Sequence, residues 1–126
     1  MDDAVRRALD NDLTVDITTM GARSGQPRRL EIWLLAVDGR HFITGTPGPR
    51  AWLANLRADP RLRVHLKQAV TVDLAAMAHE VTDETTRRAV LSHQAAAWYR
   101  GQAPLDELVA LAPMVELTFA EPGAHE

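Results

Sequence analysis

The feature that most constrains the fold is the alternation of apolar and charged side chains in the segment RLRVHLK, residues 61–67. In an extended chain, Leu62, Val64 and Leu66 point to one side, and the residues between them, His65 included, point to the other. This period of two predicts a half-exposed strand, which is typical of an antiparallel sheet.

Turn signals indicate how the strands are joined. Asp38-Gly39 favours a two-residue hairpin because glycine tolerates a positive φ angle, and a tight turn is expected near Lys67 and Gln68. The run LEIWLLAV (30–37) is apolar on both faces and too short for a typical helix, so it predicts a centrally buried strand. Strands are predicted at 15–20, 30–37, 40–45, 61–67, 69–81 and 114–119.

Helices interrupt this series. Pro49 suits the first position of one helix, Asp59 before Pro60 marks its end, and Thr82 is a plausible N-cap of another. Helices are predicted at 2–9, 49–58, 83–99 and 105–111. Because hairpin-linked strands dominate, we expect one domain over residues 1–126, mainly β with peripheral helices, folded as a small antiparallel barrel.

Composition excludes several classes of function. The chain has 126 residues with 14 Lys+Arg against 17 Asp+Glu, a net charge of −3, whereas nucleic-acid and membrane-surface binders are usually basic. It has no cysteine, so it forms neither disulfides nor thiolate metal sites. The charged N-terminus and the absence of a long apolar run predict a soluble, cytoplasmic protein with no transmembrane segment.

The side chains offer little catalytic chemistry of their own. No two of the histidines, at positions 41, 65, 79, 93 and 125, stand at a metal-ligand spacing, so no metal is predicted. Ser24 and Ser92 lack the nucleophile-elbow pattern. If the protein is an enzyme, it therefore relies on a bound cofactor.

The segment GARSGQPRR, residues 21–29, concentrates positive charge in this acidic chain. Its glycines can expose backbone N–H groups, Ser24 adds a hydroxyl, and Arg23, Arg28 and Arg29 add guanidinium groups, which together can cradle a phosphate. On pattern alone, a hairpin with solvated arginines explains the segment equally well.

A second glycine-rich turn, Thr44–Gly48, leads into the predicted helix at 49–58, whose N-terminus could attract an anion. Trp33 and Trp52 could wall a planar ligand that Trp98 and Tyr99 close, although large aromatic residues more often belong to a core.

Three ordered blocks resemble the deazaflavin-dependent nitroreductase and quinone reductase family. The blocks are DITTMGARSGQPRR, a hydrophobic strand with DGR, and AWLANLRADPRLRVHLK. The spacing to DLAAMAHEVTDE also matches, so the resemblance covers residues 16–84. The resemblance implies a split β-barrel like that of FMN-binding pyridoxamine-phosphate oxidases. It also implies binding of reduced coenzyme F-420 and hydride transfer to a small acceptor, namely a quinone, nitro compound or activated alkene.

The resemblance also assigns residues by position. The tail-binding turn would comprise Ala22, Arg23, Ser24, Arg28 and Arg29. Thr44, Gly45 and Thr46 would lie beside the deazaflavin ring, and Trp52 and Asn55 would belong to the helix that packs on the coenzyme. Tyr99, or a pocket water, is the candidate proton donor. Split barrels often pair through a sheet face, which implies a homodimer.

The chain departs from the family pattern at three places. Arg23 replaces the usual lysine, the loop TGTPGPRAW is shorter, and Tyr99 alone stands where the better-known quinone reductases carry several tyrosines. Two alternatives therefore remain open at this point. One is a non-catalytic binder of a deazaflavin, flavin or other planar or apolar ligand, and the other is an FMN-dependent split-barrel oxidase.

Overall fold

Seven strands form a single antiparallel sheet in the computed structural model, which describes residues 1–120. The strands are β1 (Thr14–Met20), β2 (Pro27–Trp33), β3 (Leu35–Val37), β4 (Arg40–Thr44), β5 (Arg61–Leu66), β6 (Val72–Glu80) and β7 (Met114–Phe119). The helices are α1 (Asp3–Asn11), α2 (Ala51–Ala58), α3 (Glu84–Ser92), α4 (Ala97–Arg100) and α5 (Leu105–Leu111). The strand order is β2-β1-β5-β6-β7-β4-β3, so the mainly β architecture with peripheral helices is confirmed.

The sheet curls because the chain passes from one edge to the other at Leu34. β2 pairs along its whole length with β1, and β3 pairs with β4 at the opposite edge. Leu34 lies between β2 and β3, and its N–H donates to the carbonyl of Leu13 at 2.7 Å. The prediction of one central strand over 30–37 is wrong. The run is apolar on both faces because the chain is enclosed where it closes the barrel, with Leu34 and Leu35 2% and 1% exposed.

The hairpin prediction at Asp38-Gly39 is confirmed. Both residues have a positive φ, 52° and 78°, between the paired residues Val37 and Arg40. Two residues with left-handed φ match the twist of the flanking strands.

Two apolar clusters lie on opposite faces of the sheet. Ile43 belongs to the inner cluster with Val15 and Val64. Its neighbour Phe42 belongs to an outer cluster with Leu91 of α3 and Leu108 of α5. The helices therefore cover the outer face at the β3–β4 end, whereas Arg63, Ala75 and Met77 on β5 and β6 are exposed.

The long helix expected over 83–99 is broken. Asp83, rather than Thr82, is the N-cap of α3, and its carboxylate accepts from the N–H of Thr86 at 2.8 Å. α3 ends at Ser92 because His93 is extended, and a short 3-10 turn (Gln94–Ala96) leads into α4.

α2 also starts later than predicted. Its first residue is Ala51, and Arg50, with extended φ and ψ, is the N-cap in place of a start at Pro49. The predicted end at Asp59 is confirmed. Among the helices of residues 1–120, none is long and apolar enough to cross a membrane.

The Arg40–Glu116 ion pair makes stability depend on pH. Arg40 donates twice to the Glu116 carboxylate, at 2.7 and 2.8 Å, which joins β4 to β7. This hydrogen bonding lowers the pKa of Glu116 below its ordinary 4.5. The stabilisation is therefore complete above about pH 5 and is lost as the pH falls through the lowered pKa.

We predict that Glu116→Gln lowers the Tm at pH 7 by a few degrees at most, because the pair is partly exposed. The deficit should shrink below about pH 4, where wild-type Glu116 also becomes neutral. Thermal denaturation between pH 3 and pH 8 checks this, with Glu107→Gln on the exposed side of α5 as the control. A deficit that persists unchanged at pH 3 would contradict the assignment.

Candidate functional site

A buried amide attaches the turn after β1 to helix α2. Asn55 is 7% exposed. Its Oδ1 accepts from the N–H of Ala22 at 2.8 Å, and its Nδ2 donates to Thr19 Oγ1 at 3.0 Å. Because Asn55 bonds both to the end of β1 and to the turn, it sets where the turn lies relative to the helix.

Two glycines allow the turn to close on itself. The N–H of Gly21 donates to the carbonyl of Gln26 at 2.8 Å, and the N–H of Gly25 donates to the carbonyl of Gly21 at 2.9 Å. Gly25 has a φ of +68°, and a Cβ on Gly21 would lie 2.6 Å from Ser24 Oγ. Larger residues at either position would therefore strain the turn.

The closed turn leaves donors available on its outer side. The backbone N–H groups of Arg23 and Ser24 and the Arg23 guanidinium have no hydrogen-bond partner within residues 1–120. Arg28 Nη2 donates to Ser24 Oγ at 3.2 Å, so its guanidinium lies against the same turn. Arg29 points to the other face of β2, where its Nε donates to Asp16 Oδ2 at 3.0 Å.

These donors line a groove of about 600 Å³ between the turn, β2 and α2. The groove is lined by residues 21–24, 28–30, 51, 52, 54 and 55, which include all the predicted tail-binding residues together with Trp52 and Asn55. Ala51 and Trp52 open α2, and no side chain caps that helix end. The positive end of the helix dipole and the arginine turn therefore meet at one groove, an arrangement that favours an anion.

The second predicted loop is folded around Arg50. Thr44 is buried, and its Oγ1 donates to the carbonyl of Pro113 at 2.6 Å. Arg50 Nη2 donates to the carbonyl and Oγ1 of Thr46, at 2.8 and 2.9 Å. A Cβ on Gly45 would lie 3.3 Å from Arg50 Nε, so a larger residue would crowd the guanidinium. None of the residues Thr44, Gly45 and Thr46 lines the groove at the arginine turn.

Sequence reasoning missed Arg50. A signal was present, since Arg50 is the only charged residue in the segment TGTPGPRAW. The apolar and glycine-rich residues around it favour the interpretation of the segment as a strand-to-helix connection, which assigns Arg50 no role.

The aromatic residues separate into two places. Trp52 belongs to the inner core, 5% exposed. Trp33 contacts Trp98 and Tyr99 edge to face, with ring centroids 5.2 and 5.9 Å apart. Trp98 is 52% exposed, whereas Tyr99 is 5% exposed. The structure therefore groups Trp33 with Trp98 and Tyr99 and not with Trp52.

Tyr99 is kept protonated by its surroundings. Burial raises the pKa of its phenol, and the positive charge of Arg50 partly opposes this. The hydroxyl makes no hydrogen bond with any residue of 1–120. It can therefore serve as a proton donor at neutral pH.

His65 is not the solvated side chain that the alternation predicts. It is 6% exposed, with Nε2 2.7 Å from Thr18 Oγ1 and Nδ1 2.7 Å from Asp73 Oδ1. The register places Asp73 directly opposite on β6, so both ring nitrogens find a partner across the strands. Within residues 1–120 no three potential metal ligands cluster, and His125 lies outside these residues.

The geometry agrees with the comparison to protein families. Residues 4–105 match the model of the F420H2-dependent quinone reductase family. The chain belongs to this family. It is therefore an oxidoreductase, and its cofactor is coenzyme F-420.

Solved structures confirm the split-barrel fold of this reductase. An F420-H2-dependent reductase superposes with a TM-score of 0.60 at 20% identity, covering 85% of this chain and 95% of that one. An F420 reductase gives 0.64 at 15% identity, covering 92% and 93%. A pyridoxamine 5'-phosphate oxidase-like protein of Listeria innocua gives 0.71 at 10% identity, covering 94% and 93%.

We predict that Asn55→Ala lowers the free energy of unfolding of the reductase by about 1–3 kcal/mol, because it leaves the buried Thr19 hydroxyl and the Ala22 N–H without their partner. Asn11→Ala is the matched control, since Asn11 is exposed and its amide bonds only within α1. Urea denaturation of both variants measures the difference. Equal stability of Asn55→Ala and wild type would show that the amide does not hold the turn.

Proposed function

We propose that the turn 21–28 and the N-terminus of α2 hold the phosphate-bearing tail of coenzyme F-420. The observation that supports this most directly is the convergence on one groove of the free Arg23 guanidinium, the free N–H groups of Arg23 and Ser24, Arg28 and an uncapped helix start. Each of these groups donates hydrogen bonds or carries positive charge. A phosphate supplies the negative charge and the acceptor oxygens that match them.

The residues around this groove divide into two roles. Arg23, Ser24 and Arg28 contact the phosphate, whereas Asn55 positions the turn that carries them. Arg29 is among the residues that line the groove, but its guanidinium lies on the other face of β2, where Nε is paired with Asp16. We therefore expect a smaller contribution to tail binding from Arg29 than from Arg23 or Arg28.

The ring of the coenzyme is expected at the N-cap of α2, beside the loop 44–46. Arg50 and Asn55 are five residues apart, about 7.5 Å along the helix axis, and Arg50 holds the loop that carries Gly45 and Thr46. Neither Gly45 nor Thr46 uses its backbone N–H in a hydrogen bond within residues 1–120. These N–H groups can donate to the polar edge of the ring, while Thr44 anchors the loop through its hydrogen bond to the carbonyl of Pro113.

The reaction is hydride transfer to a small organic acceptor, namely a quinone, a nitro compound or an activated alkene. When bound, the reduced deazaflavin supplies the hydride. Tyr99 donates the proton that completes reduction of the acceptor, the phenolate is reprotonated from solvent, and the charge of Arg50 stabilises the phenolate in between. The exposed ring of Trp98 beside Tyr99 offers an apolar surface for a planar acceptor.

We predict that Arg23→Ala combined with Arg28→Ala raises the Kd of reduced coenzyme F-420 by about 100-fold or more, since it removes two charge-assisted contacts. Fluorescence titration of the coenzyme measures this, and added salt should weaken wild-type binding in the same direction. Arg7→Ala, an exposed arginine of α1, is the control. Unchanged affinity in the double variant would make the turn a solvated hairpin.

We predict that Tyr99→Phe lowers kcat by about 100-fold, as expected when a proton donor is lost, while the Kd of the coenzyme stays the same. Oxidation of the reduced coenzyme by a quinone, a nitroaromatic compound and an enone measures this under anaerobic conditions. Because the pKa of Tyr99 is raised, wild-type kcat should hold as the pH rises to 9 and fall only above about pH 10. A Tyr99→Phe variant with wild-type kcat for every acceptor would exclude this role.

A further inference from the structure

A second groove opens on the other side of the same turn. It has a volume of about 1030 Å³ and lies on the outer face of β1, β5 and β6, where the helices do not cover the sheet. Gly21 and Ala22 line both grooves, so the turn forms a shared wall. Arg63, Met77 and Phe119 line the second groove but not the first.

The surface of this outer groove is largely apolar. Met77 is 39% exposed, one of the few large hydrophobic side chains that face solvent. Met20 adds apolar surface, and the small exposed side chain of Ala75 leaves space above the sheet. Exposed apolar surface of this extent commonly marks a binding site.

The charges that line the outer groove do not cancel. Asp59 accepts from Arg61 Nε and Nη2 at 3.0 and 2.9 Å, so these two residues neutralise each other. Arg63 lies opposite Thr18 on one side and Ala75 on the other, and its guanidinium makes no hydrogen bond or ion pair with any residue of 1–120, acting on Asp73 only through space by helping to lower the pKa of that carboxyl. One guanidinium therefore remains as an unpaired cation beside apolar side chains.

We propose that the outer groove binds an organic carboxylate with an apolar tail. The carboxylate pairs with Arg63, whose planar guanidinium can donate two parallel hydrogen bonds to it. The tail lies along Met77 and Met20, where its burial removes exposed apolar surface from water. A cationic or uncharged amphiphile of the same length lacks the first contact.

This second site is separate from the coenzyme groove but shares its wall. Residues 21 and 22 contact ligands on both sides, so occupation of one groove can change the affinity of the other. Any such coupling must be reciprocal, with the coenzyme and the carboxylate changing each other's Kd by the same factor.

Calorimetric titration of the coenzyme-free protein with dodecanoate, kept below its micelle concentration, tests the proposal. We expect saturable binding of one dodecanoate per chain, and binding weaker by about 10-fold or more for dodecanol and dodecyltrimethylammonium, which cannot form the charge-assisted pair. Arg63→Gln should lose about the same factor, and Met77→Asp should bind still less because it places a negative charge on the apolar surface. Arg7→Gln is the matched control and should bind dodecanoate like wild type.

Thermal denaturation and coenzyme titration of each variant keep the result interpretable. Arg63→Gln should retain the wild-type Tm and the wild-type Kd for reduced coenzyme F-420, so failure of the carboxylate site is distinguishable from failure of the coenzyme site. Absence of saturable binding, equal binding of all three amphiphiles, or wild-type affinity in Arg63→Gln would overturn the proposal. A dimer that Met77→Asp dissociates, together with no dodecanoate binding, would instead make this face an interface between two copies.

Discussion

The site depends on one buried amide, that of Asn55. Its two hydrogen bonds reach Thr19 and Ala22, which lie 36 and 33 positions away in the chain. They hold the arginine turn against the helix whose N-terminus is uncapped. Without this attachment the turn would keep its charges, but the charges would not meet the helix dipole at one groove.

The barrel supplies the frame that makes this attachment possible. The chain crosses from one sheet edge to the other at Leu34, which curls the sheet. α2 packs its buried residues against the inner face of this curled sheet, near the end of β1. The arginines of the turn 21–28 create a local positive charge in a chain whose net charge is −3. Positive charge is concentrated at one turn, while charged residues on the sheet surface, such as Arg29 and Asp16, pair with each other.

Local patterns predicted much of the fold. Asp38-Gly39 determines its own hairpin, and the alternation from Leu62 to Leu66 determines which side of β5 is buried, because both effects act between near neighbours in sequence. The break at Leu34 could not be predicted, since an apolar run does not indicate where the chain will bend. The burial of His65 depends on the register with β6, which is a non-local property.

The candidate site also has a part that the local sequence indicates and a part that depends on the fold. Glycine, serine and arginine in one turn left an anion cradle and a solvated hairpin equally open, and the structure brings Arg23, Ser24 and Arg28 to one groove. The charge of Arg50 was visible in the sequence, but its part in the site was not predicted, since its contacts with Thr46 and its proximity to Tyr99 exist only in the folded chain.

The most direct test of the account is a two-dimensional ¹H–¹⁵N spectrum recorded as reduced coenzyme F-420 is added to the labelled protein. Hydrogen bonding to the phosphate should shift the backbone amide signals of Arg23 and Ser24 strongly and in proportion to occupancy. The amides of Asp38 and Gly39, in the hairpin at the opposite end of β4 from the loop 44–46, should stay in place. Saturable binding that leaves Arg23 and Ser24 unshifted would contradict the claim that this turn holds the coenzyme.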